Sequence, residues 1–335
     1  MEYIPFGNTG LTVSRVGFGG IPIQRIDAEG TKKLFEKLIE MGVNYIDTAR
    51  GYTVSEEYIG FAIDSLGIRD KLILATKSMA ATREAMEKDI ETSLHNLRTD
   101  YIDLYQIHNP SMEKLDTILS EGGALEALLN AKAAGRIGHI GLTAHSAKVF
   151  ERALELDFVE SIMFPYNIVE TQGCELVKKC GERGKAFIAM KPLAGGAIED
   201  GEAAMRYLLT DPDVTVVIPG MYQTSEIEQN ASLGSEPLTE DEKERIARIR
   251  STLTGNFCRR CNYCAPCTVG IQIPSVFLFE GYLERYGLEE WARGRYAGLK
   301  VKASECIKCG ACETRCPYEL PIRDMLERAA KAFGE

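Results

Sequence analysis

Eight short apolar runs, each followed by an amphipathic segment, fill residues 13–234 of this 335-residue chain. The runs are VSRVGFG, VNYIDT, KLILATK, YIDLYQIH, IGHIGLT, SIMFPYN, AFIAMKP and VTVVIPG. The segments after them, such as TREAMEKDIETSLHNL and SAKVFERALEL, return their apolar residues at helical spacing. Strands covered by helices on both faces read as near-continuous apolar runs, as most of these do. Strict strand-then-helix order implies parallel strands joined by right-handed crossovers. Eight such units in roughly 220 residues have the size of an α/β fold of the (β/α)8, or TIM-barrel, type. A doubly wound open sheet is the competing architecture. The count of eight, and the lack of GxGxxG after the first run, disfavour it.

Past the eighth unit, Thr239 and Glu242 form a capping box that opens one more helix, through about Thr252. Gly255-Asn256 then breaks the pattern. Residues 1–255 carry 27 Lys+Arg against 39 Asp+Glu, whereas residues 256–335 carry 12 against 10. This shift places a domain boundary near 255, with a barrel over 1–255 and a small second domain over 256–335. The net charge of −10 argues against nucleic acid as a partner. No apolar stretch approaches the ~20 residues of a membrane-spanning helix. The start, MEYIPFGNTG, has neither the basic nor the apolar region of a signal peptide. The expectation is a cytoplasmic protein with no membrane partner.

Eight of the ten cysteines lie between Cys258 and Cys316. In a reducing compartment such a cluster points to metal rather than to disulfides. The second group, CIKCGACETRCP, places Cys306, Cys309, Cys312 and Cys316 before Pro317 and resembles the C-x2-C-x2-C-x3-C-P run of bacterial-type ferredoxins. In such runs three thiolates reach one cluster and the fourth belongs to the other. The first group, Cys258, Cys261, Cys264 and Cys267, shares the first two spacings. The expectation is two [4Fe–4S] clusters. One would take Cys258, Cys261, Cys264 and Cys316, the other Cys306, Cys309, Cys312 and Cys267. A four-cysteine zinc site is the rival for the first group. Arg259, Arg260, Lys308 and Arg315 stand among the thiols, either offsetting their charge or as solvated surface. Each group is followed by a proline and a helical run, which suggests a pseudo-twofold, helical ferredoxin-like domain. Cys174 and Cys180 are assigned to packing.

Barrel active sites form at the C-terminal ends of the strands. Four ionisable residues fall there: Asp47 and Tyr52 after the second run, Lys77 after the third and His108 after the fourth. Singly, an aspartate there caps a helix and a histidine packs. Together they suit proton delivery to a carbonyl oxygen that is gaining negative charge. Tyrosine is a reluctant acid, with a pKa near ~10. A Lys77 ammonium would favour its ionised form, Asp47 would hold that ammonium charged, and His108 would orient the oxygen.

These motifs, IDTARGY, ILATKS and YIDLYQIHNP, together with GLTAH, PYN, KPLAGG and IPG followed by QTSEIEQN, resemble those of the aldo-keto reductases from about Gly7 to Ile249. The resemblance implies a reductase that binds NADPH or NADH without a Rossmann domain and acts on a small carbonyl or alcohol. It makes Tyr52 the proton donor, with Asp47, Lys77 and His108 completing a tetrad. Thr143 and His145 would lie at the carboxamide, with Ala144 where the family has Asn. Tyr166 and Asn167 would lie beside the nicotinamide, and Pro192, Leu193, Gly195 and Gly196 around the pyrophosphate. Pro219, Gly220 and Met221 would lead to Gln229 and Asn230 at the adenine. Tyr222 stands near the place of a family cation that grips a 2′-phosphate.

Hydride moves two electrons and each cluster moves one, so a flavin would be the natural bridge, though no clear flavin motif is present. Three readings follow. One is a reductase whose clusters exchange electrons with a ferredoxin-like partner. The second is a conventional reductase with structural clusters, and the third is a non-catalytic redox sensor.

Overall fold

The structure, a computed structural model, describes residues 1–253, 258–259, 262–284 and 289–335. It divides into two compact units, Met1–Thr252 and Leu253–Glu335. In the first, an antiparallel hairpin of β1 (Tyr3–Pro5) and β2 (Thr12–Ser14) precedes eight parallel strands. These are β3 (Phe18–Gly19), β4 (Tyr45–Asp47), β5 (Ile73–Ser78), β6 (Ile102–His108), β7 (Ile137–Thr143), β8 (Ser161–Pro165), β9 (Ala186–Met190) and β10 (Val216–Ile218). They pair in chain order. Parallel bridges Val16–Val217 and Gly19–Gly220 close the sheet into a barrel.

Helices follow the strands: α1 (Ala28–Glu40), α2 (Ser55–Leu66), α3 (Arg83–Asn96), α4 (Met112–Leu119), α5 (Ala124–Ala133), α6 (Ala147–Leu154), α7 (Cys174–Glu182), α8 (Gly201–Leu209), α9 (Thr224–Ala231) and α10 (Glu240–Thr252). Short polar side chains satisfy the first amides of several. Asp27 accepts from Gly30 N at 2.7 Å, and Thr239 Oγ1 from Glu242 N at 3.2 Å, while Glu242 Oε2 accepts from Thr239 N at 2.7 Å. None of the described helices is long and apolar enough to cross a membrane.

Two apolar layers result. Phe6 and Val13 of the hairpin region join Tyr45, Leu104, Met163, Ile188 and Val216 inside the barrel. The hairpin turn is tied to the chain just before β9, where Asn8 N donates to Gly184 O at 2.8 Å. The N-terminal end of the barrel is thereby plugged, which leaves the C-terminal end for chemistry. The second layer lies between sheet and helices.

The first apolar run is not one strand. Ser14 exchanges bonds with Asn44 (2.7 and 3.1 Å) and donates to Val16 O at 2.8 Å, so the chain turns there. Its first half pairs with β1, and its second half joins the barrel, with Phe18–Gly19 paired to β4 and Val16 bridged to Val217. Helix α4 is an addition that the strand-then-helix reading leaves out.

In the second unit, α11 (Ile273–Glu284) packs with α12 (Glu289–Ala297) and α13 (Ile322–Phe333). Ile273 follows Cys267 at the same interval as Ile322 follows Cys316. Val276, Phe277, Met325, Leu326 and Ala329 form the core together with Cys264 and Cys312. Buried Glu280 of α11 pairs with Arg328 of α13 at 2.9 Å, and the Tyr296 and Phe333 rings stack at 3.9 Å.

Gly60 on α2 lies where α3 ends; a Cβ there would sit 2.1 Å from Asn96 O. Gly60→Ala is expected to cost about 1–3 kcal/mol or more. Gly294→Ala on α12, where a Cβ meets nothing within 4 Å, should instead stabilise by about 0.5–1 kcal/mol. Denaturant unfolding of each variant checks both signs.

Candidate functional site

The barrel register sets the mouth. Gly19 pairs with Asp47, Lys77 with Gln106, and His108 with Thr143, so these strand ends stand at neighbouring levels. Lys77 Nζ donates to Asp47 Oδ1 at 2.5 Å and to Thr48 O at 2.8 Å, with Lys77 and Asp47 only 1% and 2% exposed. Gln106 Nε2 donates to the second Asp47 oxygen at 3.1 Å. Lys77 Nζ lies 5.0 Å from the Tyr52 ring centre, and the His108 ring meets Tyr52 edge-on at 6.1 Å. The structure therefore brings Asp47, Tyr52, Lys77 and His108 together.

Electrostatics follow from burial. Burial works against the charge on Lys77, but Asp47 and Tyr52 outweigh it and hold the ammonium above its ordinary range. Burial also pushes Tyr52 up, more than Lys77 pulls it down. The net shift is thus opposite to the one expected from Lys77 alone, because desolvation of the phenolate wins. Burial, followed by Lys77 and Lys114, pushes His108 down to about 3, so its ring is neutral at ordinary pH.

The loop carrying Tyr52 is pinned from behind. Glu56, 1% exposed, accepts from Arg50 (2.7 Å), Thr76 (2.8 Å) and Ser93 (2.7 Å). Arg50 N also donates to Lys77 O at 3.0 Å. Glu56 and Gln106 were not singled out from the sequence. Gln106 was within reach, since strand alternation puts it on the same face as Leu104 and His108. Glu56 reads only as a first-turn helix acid.

Several nucleotide candidates lie around the same mouth. Thr143 Oγ1 accepts from Asn109 N at 3.0 Å, and Asn109 Oδ1 accepts from His145 N at 3.0 Å. Lys191 Nζ is 3.5 Å from His145 Nδ1. Asn167, fully buried, donates to Lys191 O at 2.9 Å. Pro192 is buried, and Leu193 leads into a turn in which Ala194, Gly195 and Gly196 all have positive φ. Such a turn exposes backbone amides to an anion. Thr53, Asn109 and Lys191 also have positive φ, so unusual backbone gathers at this end of the barrel. His108 Nδ1 is buried without a hydrogen-bond partner, a polar atom left for a bound group to satisfy.

Other candidates are placed elsewhere. The Tyr166 ring packs on Phe187 and Tyr207 with its hydroxyl donating to Asp211 at 3.0 Å, so it belongs to the layer between sheet and helices. Met221 is fully buried in that layer as well. Pro219 and Gly220 shape the closing seam, where Gly19 N donates to Pro219 O at 2.9 Å. Gln229 is exposed on α9 and Asn230 is half-buried. Tyr222 carries the Arg25 guanidinium 5.2 Å from its ring centre, which brings a cation to this loop by another route.

In the second unit the thiols border two recesses. One is lined by Cys306, Cys309 and Cys312 together with Cys267 of the first motif. The other is lined by Cys258 and Cys264 together with Cys316 of the second motif. Cys261 and Arg260 lie outside the described residues. Among the described residues no three His, Cys, Asp or Glu side chains converge on one ion position. Arg259 stacks on Tyr318 at 4.6 Å beside the second recess, and Arg315 lines the first. Lys308 pairs with Glu327 at 2.9 Å. Cys180 is buried on α7 and Cys174 is exposed.

Comparison with known proteins gives both units a relative. Residues 15–203 match the aldo/keto reductase family, and residues 257–321 match a 4Fe-4S dicluster domain. The chain is 27% identical over 314 residues to L-galactose dehydrogenase of Arabidopsis thaliana, covering 76% of this chain and 97% of that one. It is 32% identical over 189 residues to aldo-keto reductase YhdN of Bacillus subtilis, covering 51% and 56%. Among solved structures, the holo form of aldo-keto reductase AKR11C1 from Bacillus halodurans superimposes with a TM-score of 0.65 at 25% identity, over 74% of this chain and 96% of that one.

The buried neutral His108 makes stability depend on pH. Unfolded, the ring takes up a proton near pH ~6.5; folded, it does so only near about 3. Its contribution is complete above ~6.5 and is lost as pH falls toward 3. His145, pushed down by burial, Lys191 and His108, acts in the same direction. The melting temperature should fall between pH 7.5 and 5, and fall less in His108→Asn. Equal losses in both proteins would contradict this assignment.

Proposed function

The chain belongs to the aldo/keto reductase family, and on that premise we propose that its barrel interconverts a small carbonyl compound and its alcohol with NADPH or NADH. Its second unit, we propose, carries single electrons on two [4Fe–4S] clusters and exchanges them with a soluble one-electron carrier. The observation that carries the first part is the buried Asp47–Lys77 pair set beneath Tyr52 and His108 at the open end of the barrel.

When bound, the nicotinamide supplies or accepts the hydride at the substrate carbon. The rest is the work of this chain. Tyr52, kept protonated by burial, gives its phenolic proton to the substrate oxygen as that oxygen gains charge. Lys77 then steadies the tyrosinate, and Asp47 keeps Lys77 charged and aimed. His108, neutral, donates one N–H to the same oxygen and fixes its direction. Thr143, His145 and Asn167 would hold the nicotinamide end, the turn at Gly195 and Gly196 the pyrophosphate, and Gln229 and Asn230 the adenine.

For the clusters, the support is the donor set. Each recess takes thiols from both motifs, which suits clusters whose fourth ligand comes from the other run. Cys306, Cys309, Cys312 and Cys267 would hold one, and Cys258, Cys261, Cys264 and Cys316 the other.

Tyr52→Phe should lower kcat for NAD(P)H-linked reduction of small aldehydes and ketones by about 10²–10⁴-fold, with the nucleotide KM little changed. Undiminished turnover would remove Tyr52 from this role. Anaerobically prepared protein should hold about eight irons and eight sulfides per chain; stoichiometric zinc in either site would overturn the two-cluster assignment.

A further inference from the structure

The recess lined by Cys267, Cys306, Cys309 and Cys312 contains a side-chain hydroxyl that neither carbonyl chemistry nor cysteine spacing accounts for. Thr268 Oγ1 lies 3.3 Å from Cys309 Sγ, joining the two motifs across 41 positions. A ligating cysteine is a thiolate and can only accept, so in the loaded protein Thr268 is the donor. Thr268 is exposed, and it is its backbone that is fixed. Cys267, next to it, lines the same recess, and Gly270 N donates to Cys267 O at 3.0 Å, closing a tight turn around Thr268 and Val269. The contact is local and near water: Cys309 is exposed, and the neighbouring Ile307 is 60% exposed.

Hydrogen bonds to the ligand sulfurs and access to water are among the factors that set the potential of such sites. A donor aimed at a ligand sulfur favours the state with more negative charge, which is the reduced one. The second recess is bordered by Phe277, Pro317, Tyr318, Leu320 and Ile322, and its described thiols are buried or half-buried, whereas the first recess has Cys309 exposed. The two sites therefore offer an added electron different surroundings.

We propose that Thr268 is a tuning residue: its hydrogen bond to Cys309 Sγ raises the reduction potential of the site formed by Cys267, Cys306, Cys309 and Cys312. This shifts the added electron toward the site at the exposed Cys309, the end open to a carrier. The inference rests on the two-cluster reading above.

The test is an anaerobic redox titration of the iron-loaded full chain, followed by electron paramagnetic resonance, for wild type, Thr268→Val and Thr268→Ser. Thr268→Val keeps shape and removes the donor, whereas Thr268→Ser keeps the donor. In Thr268→Val, one of the two signals should become harder to reduce. At a fixed potential its reduced-to-oxidised ratio should fall about threefold to tenfold, tenfold being about 59 mV for a one-electron couple. The other signal should stay in place, and Thr268→Ser should follow wild type. Unchanged titrations in Thr268→Val with iron fully present would overturn the tuning role and leave the cluster reading standing. Wild-type protein that takes up no iron–sulfur cluster would overturn both.

Discussion

Lys77 and Asp47 meet at 2.5 Å with almost no access to water, and the barrel mouth is organised around what that ion pair needs. A buried charge is tolerated only when its remaining hydrogen-bond capacity is met. Here Thr48 O takes a second proton of Lys77, and the Gln106 amide meets the second Asp47 oxygen. Thr48 follows Asp47 at the end of β4, and Gln106 stands on β6 level with Lys77 of β5, so the barrel register itself satisfies the charges. The loop from Thr48 to Tyr52 must then fold back over Lys77. A second buried carboxylate, Glu56, fixes it there through Arg50, Thr76 and Ser93. Tyr52 is the outcome: a phenol held protonated by burial, with the Lys77 cation 5.0 Å from its ring centre.

The second unit meets a comparable demand with other means. It is small, and its core draws on cysteines as well as on Val276, Phe277, Met325 and Leu326. Thiols in a core are stable neighbours for apolar side chains, and the same thiols are ligands once deprotonated. Because each recess borrows a thiol from the other motif, the turns near residues 267 and 316 depend on each other. Metal binding in such a domain is coupled to its folding. The pin from Glu280 to Arg328 and the Tyr296–Phe333 stack hold the helices that present these turns.

Much of this was legible in the chain. Eight apolar runs announce eight parallel strands because both faces of each strand are covered, and the (β/α)8 architecture follows from their count. The first run misleads because its break is made by side-chain bonds of Ser14 and Asn44, thirty positions apart in sequence, which hydropathy does not register. Helix α4 is short and sits in a loop that the strand-then-helix rhythm does not require. Asp47, Lys77 and His108 stand at strand ends that position alone can find. Gln106 shares the face of His108 on β6 and was within reach by alternation, whereas Glu56 was not, because its importance lies in the groups it holds. Tyr166 and Met221 show the limit of reading a strand end. The side chain there can turn outward into the helix layer, and Phe187 and Tyr207 give Tyr166 an apolar place to do so.

Whether Lys77 and Tyr52 are coupled through space as their geometry implies is most directly tested by the protonation of Tyr52 itself. Carbon-13 labelling of tyrosine Cζ reports it residue by residue, with Tyr52→Phe giving the assignment. Tyr52 should keep its proton past the ordinary tyrosine value of about 10, and should hold it still more tightly in Lys77→Met, which removes the cation that pulls it down. A Tyr52 that ionises below about 10, or one indifferent to the loss of Lys77, would contradict the account.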